Sequence, residues 1–275
     1  MKKFLLLLQV YILFSIYSWG TPLPPIEEIN FTPLKNLIQL PTNEVRNLFQ
    51  DKEGYIWIAT YNGLVRYDGY STQIYHAESE GSEKSIDGFV NIVAEDNQSN
   101  LWIGTHNGLY KLNKKHETIE KIHLPNPQVS NVEAVACTRE GAIWAGTNKG
   151  LFIKKKDEKN FTLYKTAQNI DVKSLLEDKR GHIWIGTWSQ GLFRYDPTQQ
   201  RLYTYQNVCS RNSAHIIFQD KDENIWIGTW RCGLLKMQNP YDMQHYGFIR
   251  YTHHQVLPTI SFMLLLKIKI QVKYG

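Results

Sequence analysis

The chain has 275 residues, of which 42% are hydrophobic and 21% charged, and its formal net charge is +5. The basic residues are scattered and form no stripe, which argues against a nucleic-acid partner. Cys137, Cys209 and Cys232 make no CxxC pair, so neither a zinc knuckle nor a dithiol redox motif is supported.

In chain order, Lys2 and Lys3 precede an apolar run from Phe4 to Ile16, then Ser18-Trp19-Gly20. This predicts a signal peptide over 1–20, cut after Gly20, and a periplasmic or secreted mature protein. Loss of Lys2 and Lys3 lowers the formal charge from +5 to +3. The run is too short to span a bilayer, and no membrane span is expected in this chain. In an oxidising compartment Cys209 and Cys232 are free to pair, and the odd count leaves at least one thiol over. Cys137, in VEAVAC, reads as a small core residue.

After a lead-in at 21–42, five repeats occupy 43–252. Their reference tryptophans are Trp57, Trp102, Trp144, Trp184 and Trp226, spaced 45, 42, 40 and 42 residues apart. That period suits one four-stranded blade, so the predicted fold is an all-β propeller with five recognisable blades, whose ring is either incomplete or closed. Each unit opens with a short apolar strand (VRNLF, FVNIVA, VEAVAC, VKSLL, HIIF). A tight Asp-x-x-Gly turn follows, as in DKEG at 51–54. The second strand (IWIAT, LWIGT, IWAGT, IWIGT, IWIGT) leads to a hairpin, YNG, HNG, NKG, WSQG or WRCG. Asn-Gly at 62–63 and 107–108 is a strong hairpin signal. The third strand starts near Leu64, Leu109, Leu151, Leu192 or Leu234, and an outer strand such as RLYTYQ at 201–206 completes the unit. One such sheet has two apolar faces and cannot bury both alone; repetition lets each blade cover its neighbour. The five tryptophans are therefore structural, each expected to cost about 3–5 kcal/mol on truncation to Ala. The Gly two residues after each Trp (Ala59 in the first unit) is expected to admit a neighbouring backbone.

The phrase V-x-x-I-x-x-D-x-x-G-x-I-W-I-G-T-x-x-G-L-x-x-Y-D resembles the two-component regulator propeller repeat. That resemblance covers about residues 30–250. It implies the periplasmic sensor region of Bacteroides-type hybrid two-component systems. There, propellers precede an immunoglobulin-like domain, a membrane span, a histidine kinase, a receiver and a DNA-binding domain, and many members sense oligosaccharides. INFTPLKNLIQLPTNEV at 29–45 resembles a lead-in whose strand joins the last blade and closes the ring. The pattern is departed from at Thr138 (turn Asp) and at Ser99 and Glu223 (turn Gly). No kinase motif occurs, so the chain is expected to bind rather than to signal alone. The tail at 253–275, TISFMLLLKIKIQVKYG after His253-His254, breaks the pattern. It reads as a frameshift or truncation, or else as a sixth edge strand.

No HExxH, spaced metal cluster, GxSxG elbow or phosphate loop is present, so no catalytic residue, metal or cofactor is assigned. The repeated Asp51, Asp96, Asp178 and Asp220 read as turn formers. The hairpin tips vary on a constant frame and supply the candidate ligand-binding residues: Tyr61, His106, Asn107, Asn148, Lys149, Trp188, Gln190, Trp230 and Arg231. Aromatic faces beside Asn, Gln and Arg suit sugars; packing of Trp188 and Trp230 against adjacent loops is the simpler alternative. The partners expected are an oligosaccharide and either a second copy or the remaining blades of a sensor. Two other readings stay open, a propeller-fold polysaccharide lyase or glycosidase and a non-functional gene fragment.

Overall fold

The computed structural model describes residues 40–76 and 85–251. The signal segment, most of the lead-in and the tail with His253-His254 lie outside the described residues. Within them, the alternation of β-branched and aromatic residues with turn formers gives twenty strands in five antiparallel sheets of four, each in sequence order.

Sheet one holds β1 (Val45–Gln50), β2 (Ile56–Thr60), β3 (Gly63–Tyr67) and β4 (Thr72–His76). Sheet two holds β5 (Val90–Glu95), β6 (Asn100–Thr105), β7 (Gly108–Asn113) and β8 (Thr118–Ile122). Sheet three holds β9 (Val132–Cys137), β10 (Ile143–Thr147), β11 (Gly150–Lys154) and β12 (Thr162–Gln168). Sheet four holds β13 (Val172–Glu177), β14 (Ile183–Thr187), β15 (Leu192–Asp196) and β16 (Arg201–Tyr205). Sheet five holds β17 (Ile216–Gln219), β18 (Ile225–Gly228), β19 (Leu234–Gln238) and β20 (Gly247–Tyr251). The first strands β1, β5, β9, β13 and β17 pack in series, each against the next. This is the radial arrangement of a propeller, and among the described residues β17 makes no comparable packing with β1.

The core lies between blades. Trp57 packs on Leu101, Ile103 and Leu112 of the next sheet, and Trp102 packs on Ile143, Ala145 and Phe152. Trp144 meets Ile183, Ile185 and Phe193, and Trp184 meets Ile225, Ile227 and Leu235. These four indoles are at most 4% exposed. Trp226 is half-buried, and it stacks on Phe218 within its own sheet instead.

The turn aspartates do more than form turns. Asp51 Oδ1 accepts the N–H groups of Glu53 and Tyr55, each at 3.0 Å, and Oδ2 accepts the Trp57 indole N–H at 2.8 Å. The indole bond recurs at Asp96–Trp102 (2.9 Å), Asp178–Trp184 (2.8 Å) and Asp220–Trp226 (2.8 Å). Burial disfavours the charged forms of Asp96 and Asp220. The donated indole, Asn and backbone bonds outweigh it, and both carboxyls lie below their ordinary value. Thr138, in the third unit, closes its turn through its hydroxyl with Ala142 N–H at 3.0 Å and makes no bond to Trp144.

A second set of bonds ties blade to blade. In the first four units the residue after the turn Asp or Thr reaches the next sheet: Lys52 N–H to Glu95 (2.9 Å), Asn97 Nδ2 to the Arg139 carbonyl (2.9 Å), Arg139 N–H to Glu177 (2.9 Å) and Lys179 N–H to Gln219 (2.8 Å). Gly104, Gly146 and Gly186, two residues after their Trp, admit the neighbouring blade as expected. A methyl group on Gly104 would stand 2.7 Å from the Val132 carbonyl oxygen, and one on Gly186 would strike the Ala214 carbonyl.

The hairpins differ in detail from a turn with Asn-Gly at its tip. Thr60 pairs with Gly63, so Tyr61 and Asn62 are the loop, and Gly63 begins the third strand at φ 121°. Thr60 Oγ1 donates to the Gly63 carbonyl at 2.8 Å, and Thr105, Thr147, Thr187 and Thr229 repeat this clasp. The recurring Thr of the W-I-G-T phrase thus fixes the hairpin tip.

Candidate functional site

Four of the five sheets share an irregularity at the start of the first strand. The β1–β2 register jumps from Val45↔Thr60 to Asn47↔Ala59, which leaves Arg46 as an extra residue. The same shift leaves out Asn91 in β5, Glu133 in β9 and Lys173 in β13. In sheet five the equivalent residue is His215, just before β17. A bulge re-aims the extra side chain out of the strand's alternation. Five equivalent positions therefore carry Arg, Asn, Glu, Lys and His, each directly after a Val or Ala.

Backbone bonds bring the hairpin tips to these bulges. Tyr61, His106, Asn148 and Trp188 donate their N–H groups to the carbonyls of Glu44, Phe89, Asn131 and Asp171, at 2.9–3.2 Å. Each acceptor lies two residues before a bulge residue. In the fifth sheet Trp230 N–H bonds the Ser213 hydroxyl at 3.1 Å. The predicted site residues thus sit on one face with a ring of bulge residues.

Side chains link around that face. Arg46 lies over the Phe89 ring at 4.9 Å, and Phe89 is stacked between Tyr61 (4.7 Å) and His106 (4.6 Å). Asn91 Nδ2 donates to Asn131 Oδ1 at 2.8 Å, and Asn131 Nδ2 donates to Glu133 Oε1 at 2.7 Å. Lys173 Nζ pairs with Glu133 at 2.6 Å and with Asp171 at 3.1 Å, and it lies 5.4 Å from the Trp188 ring centre. Trp188, His215 and Trp230 form an aromatic cluster, with centroids 4.7 Å, 5.8 Å and 6.0 Å apart. Burial, then the Lys173 charge, holds the His215 imidazole below its ordinary value, so it is neutral at pH 7.

Among the predicted residues, Trp188 and Trp230 come together. They are 42% and 40% exposed and line a cavity of about 300 Å³ with Ser189, Arg211 and Ser213. Tyr61 and His106 meet through Phe89, and Asn107 Nδ2 donates to Asp87 at 3.0 Å. The Lys149 backbone N–H is held by the Thr147 hydroxyl at 3.0 Å, and the exposed Arg231 has a left-handed backbone at φ 68°. The side-chain oxygens Asn148 Oδ1 and Gln190 Oε1 are buried without a hydrogen-bond partner, as are Asn91 Oδ1 and His215 Nε2. The His215 atom belongs to the exposed-ring cluster, and an unsatisfied polar atom of this kind is what a polar ligand fills.

Sequence reasoning missed Arg46, Asn91, Glu133, Lys173 and His215. The available signal was the one polar, variable residue after the first Val or Ala of every unit. A second cavity, of about 370 Å³, lies between sheets two and three beside Trp102, Arg139, Lys156 and Glu120, and none of the bulge or hairpin-tip residues lines it. No cluster of His, Cys, Asp and Glu able to hold a metal occurs among the described residues.

Solved structures with the same fold include the extracellular domain of BT4673 from B. thetaiotaomicron, assigned to the hybrid two component systems (23% identity, TM-score 0.63). The match covers 79% of this chain and 29% of that one. The extracellular domain of BT3049, of the same organism and assignment, matches at 21% identity and a TM-score of 0.54, over 80% of this chain and 37% of that one. Virginiamycin B lyase from Staphylococcus aureus matches at 13% identity and a TM-score of 0.60, over 75% and 70%. These likenesses establish the fold, and the chain spans about three-tenths of the BT4673 domain. No curated protein matches the sequence. The two component regulator propeller family matches at 39–62, 84–107, 166–189 and 210–231, each segment running from a first strand to a hairpin tip. Four repeats of this chain thus match the two component regulator propeller family.

Proposed function

We propose that the chain is a ligand-sensing propeller acting outside the cytoplasm, part of a hybrid two-component sensor, and that its ligand is an oligosaccharide bound across the bulge face. The observation that carries the reading is the cluster of half-exposed Trp188 and Trp230 around neutral His215, whose buried Nε2 lacks a partner. Sugar rings stack their apolar faces on aromatic rings, and their hydroxyls satisfy fixed donors and acceptors. The ion pairs of Glu133 and Asp171 with Lys173 suit recognition better than proton transfer, because a paired carboxylate is a poor general base at neutral pH. The resemblance of the repeat to sensor regions and the predicted signal peptide support the location. A ligand would switch such a sensor through different affinities for its two states, within a homodimer or with further blades.

The test is thermal unfolding of the purified protein against a panel of neutral and acidic oligosaccharides. A dose-dependent rise in Tm with one class, lost in Trp188→Ala and Trp230→Ala, is expected, since native-state binding stabilises. A flat response to every saccharide contradicts the proposal.

A further inference from the structure

Cys209 lies in the loop between β16 and β17, and Cys232 lies in the hairpin between β18 and β19. They are 23 positions apart in sequence but share one polar cluster in space. Cys209 Sγ is 3.6 Å from Ser213 Oγ, and Ser210 Oγ is 3.4 Å from Cys232 Sγ. Both backbones are pinned. Asn212 closes the first loop with N–H to the Cys209 carbonyl at 2.8 Å and Nδ2 to Gln206 at 2.8 Å. Arg250 Nε holds the Cys232 carbonyl at 2.7 Å.

We propose that Cys209 and Cys232 form an intramolecular disulfide that staples the loop carrying Arg211 and Ser213 to the hairpin carrying Trp230, across one wall of the aromatic cavity. Ser210, the residue after Cys209, reaches the Cys232 thiol, so both sulfurs lie in the same small cluster. Burial raises the Cys209 thiol, but hydrogen bonding to Cys232, Ser213 and Arg211 outweighs it and leaves it below its ordinary value. Cys137 has no such neighbour: it is pushed far up by burial in the sheet-three core and stays out of the exchange.

The chemistry needs an oxidant of the disulfide class, such as glutathione disulfide. Half-buried Cys209 loses its proton and attacks one sulfur of the oxidant, expelling one thiolate and leaving a mixed disulfide. Buried Cys232 then loses its proton and attacks Cys209 Sγ, expelling the second thiolate. The two released thiolates take up the two protons, so the oxidant is reduced to two thiols as the protein dithiol is oxidised.

The bond itself does not depend on the saccharide reading; its effect on ligand does. Bridging removes the freedom of the Trp230 hairpin to move away from Ser213. The oxidised protein should therefore bind the saccharide that raises its Tm more tightly than the reduced protein, by several-fold.

The full chain is equilibrated with glutathione disulfide and glutathione, blocked with N-ethylmaleimide and mapped by peptide mass spectrometry. The expected product is a Cys209–Cys232 cross-linked peptide with Cys137 blocked only after unfolding. Oxidation should raise the Tm by roughly 6–12 °C, with no rise in Cys209→Ser. Full alkylation of Cys209 and Cys232 in the oxidised native protein, a bridge to Cys137, or intermolecular dimers would each overturn the proposal. The comparison of oxidised with reduced wild type decides the matter even where the serine variant fails to fold.

Discussion

Lys173 Nζ lies 2.6 Å from Glu133 Oε1, which joins the bulge residue of one blade to that of the next. Both side chains are largely shielded, at 11% and 22% exposure, so the pair is stronger than a surface ion pair. Lys173→Met leaves Glu133 and Asp171 without their cation. The expected loss is about 1–3 kcal/mol of stability, read from urea unfolding.

The same substitution has a second, independent readout. Burial and then Lys173 hold His215 below its ordinary value of 6.5. Removing the Lys173 charge should raise the His215 pKa, followed by NMR titration of the ring. The sign for stability follows. A histidine depressed in the folded state protonates first in the unfolded chain, so stability is full above 6.5 and falls as pH drops from there toward the folded value. His215→Gln should flatten that stretch of the stability curve. Asp96 and Asp220 act lower, below their ordinary 3.8, where their stabilising charge is lost.

Trp144 is buried, but its indole N–H has no carboxylate, because Thr138 stands at the place of Asp51, Asp96, Asp178 and Asp220. Thr138→Asp should extend the Asp–indole bond to all five units and stabilise by about 1 kcal/mol in urea. A destabilised variant would show that the third turn is built around its hydroxyl.

Two turn positions spend backbone strain. Ser99 and Glu223 occupy the left-handed region at φ 61° and 64°, where the other units place Gly54, Gly141 and Gly181. The Glu223 side chain makes an exposed 4.0 Å contact with Arg180, and its other bonds run through the backbone, which Gly keeps. Glu223→Gly should therefore raise stability by up to about 1 kcal/mol, measured as a higher urea midpoint. By contrast, Gly186→Ala drives a methyl into the Ala214 carbonyl and should cost about 1–3 kcal/mol.

Much of the fold was legible because its signals repeat. The Trp spacing announced the blades, and the hairpin residues Trp188 and Trp230 stood out as aromatics beyond the core series. The Asp–indole bond was not legible, since nothing in a turn signature says where the second carboxylate oxygen points. The bulge residues hid for a related reason. Alternation assigns each residue of a strand to a face, and a bulge adds one residue that obeys neither. Arg46, Asn91, Glu133, Lys173 and His215 emerge only when the units are aligned at Val45, Val90, Val132, Val172 and Ala214. Phe89, the centre of a three-ring stack, was read as part of a strand, although it precedes β5.

The most direct test of a saccharide-binding bulge face is a tryptophan fluorescence titration with the oligosaccharide that raises the Tm, in wild type and in Trp188→Ala and Trp230→Ala. The account predicts a saturable change in wild type and its loss, or at least a tenfold weakening, in both variants, with the unliganded melting transition close to wild type. Undiminished binding in both variants would place the ligand elsewhere and contradict the account.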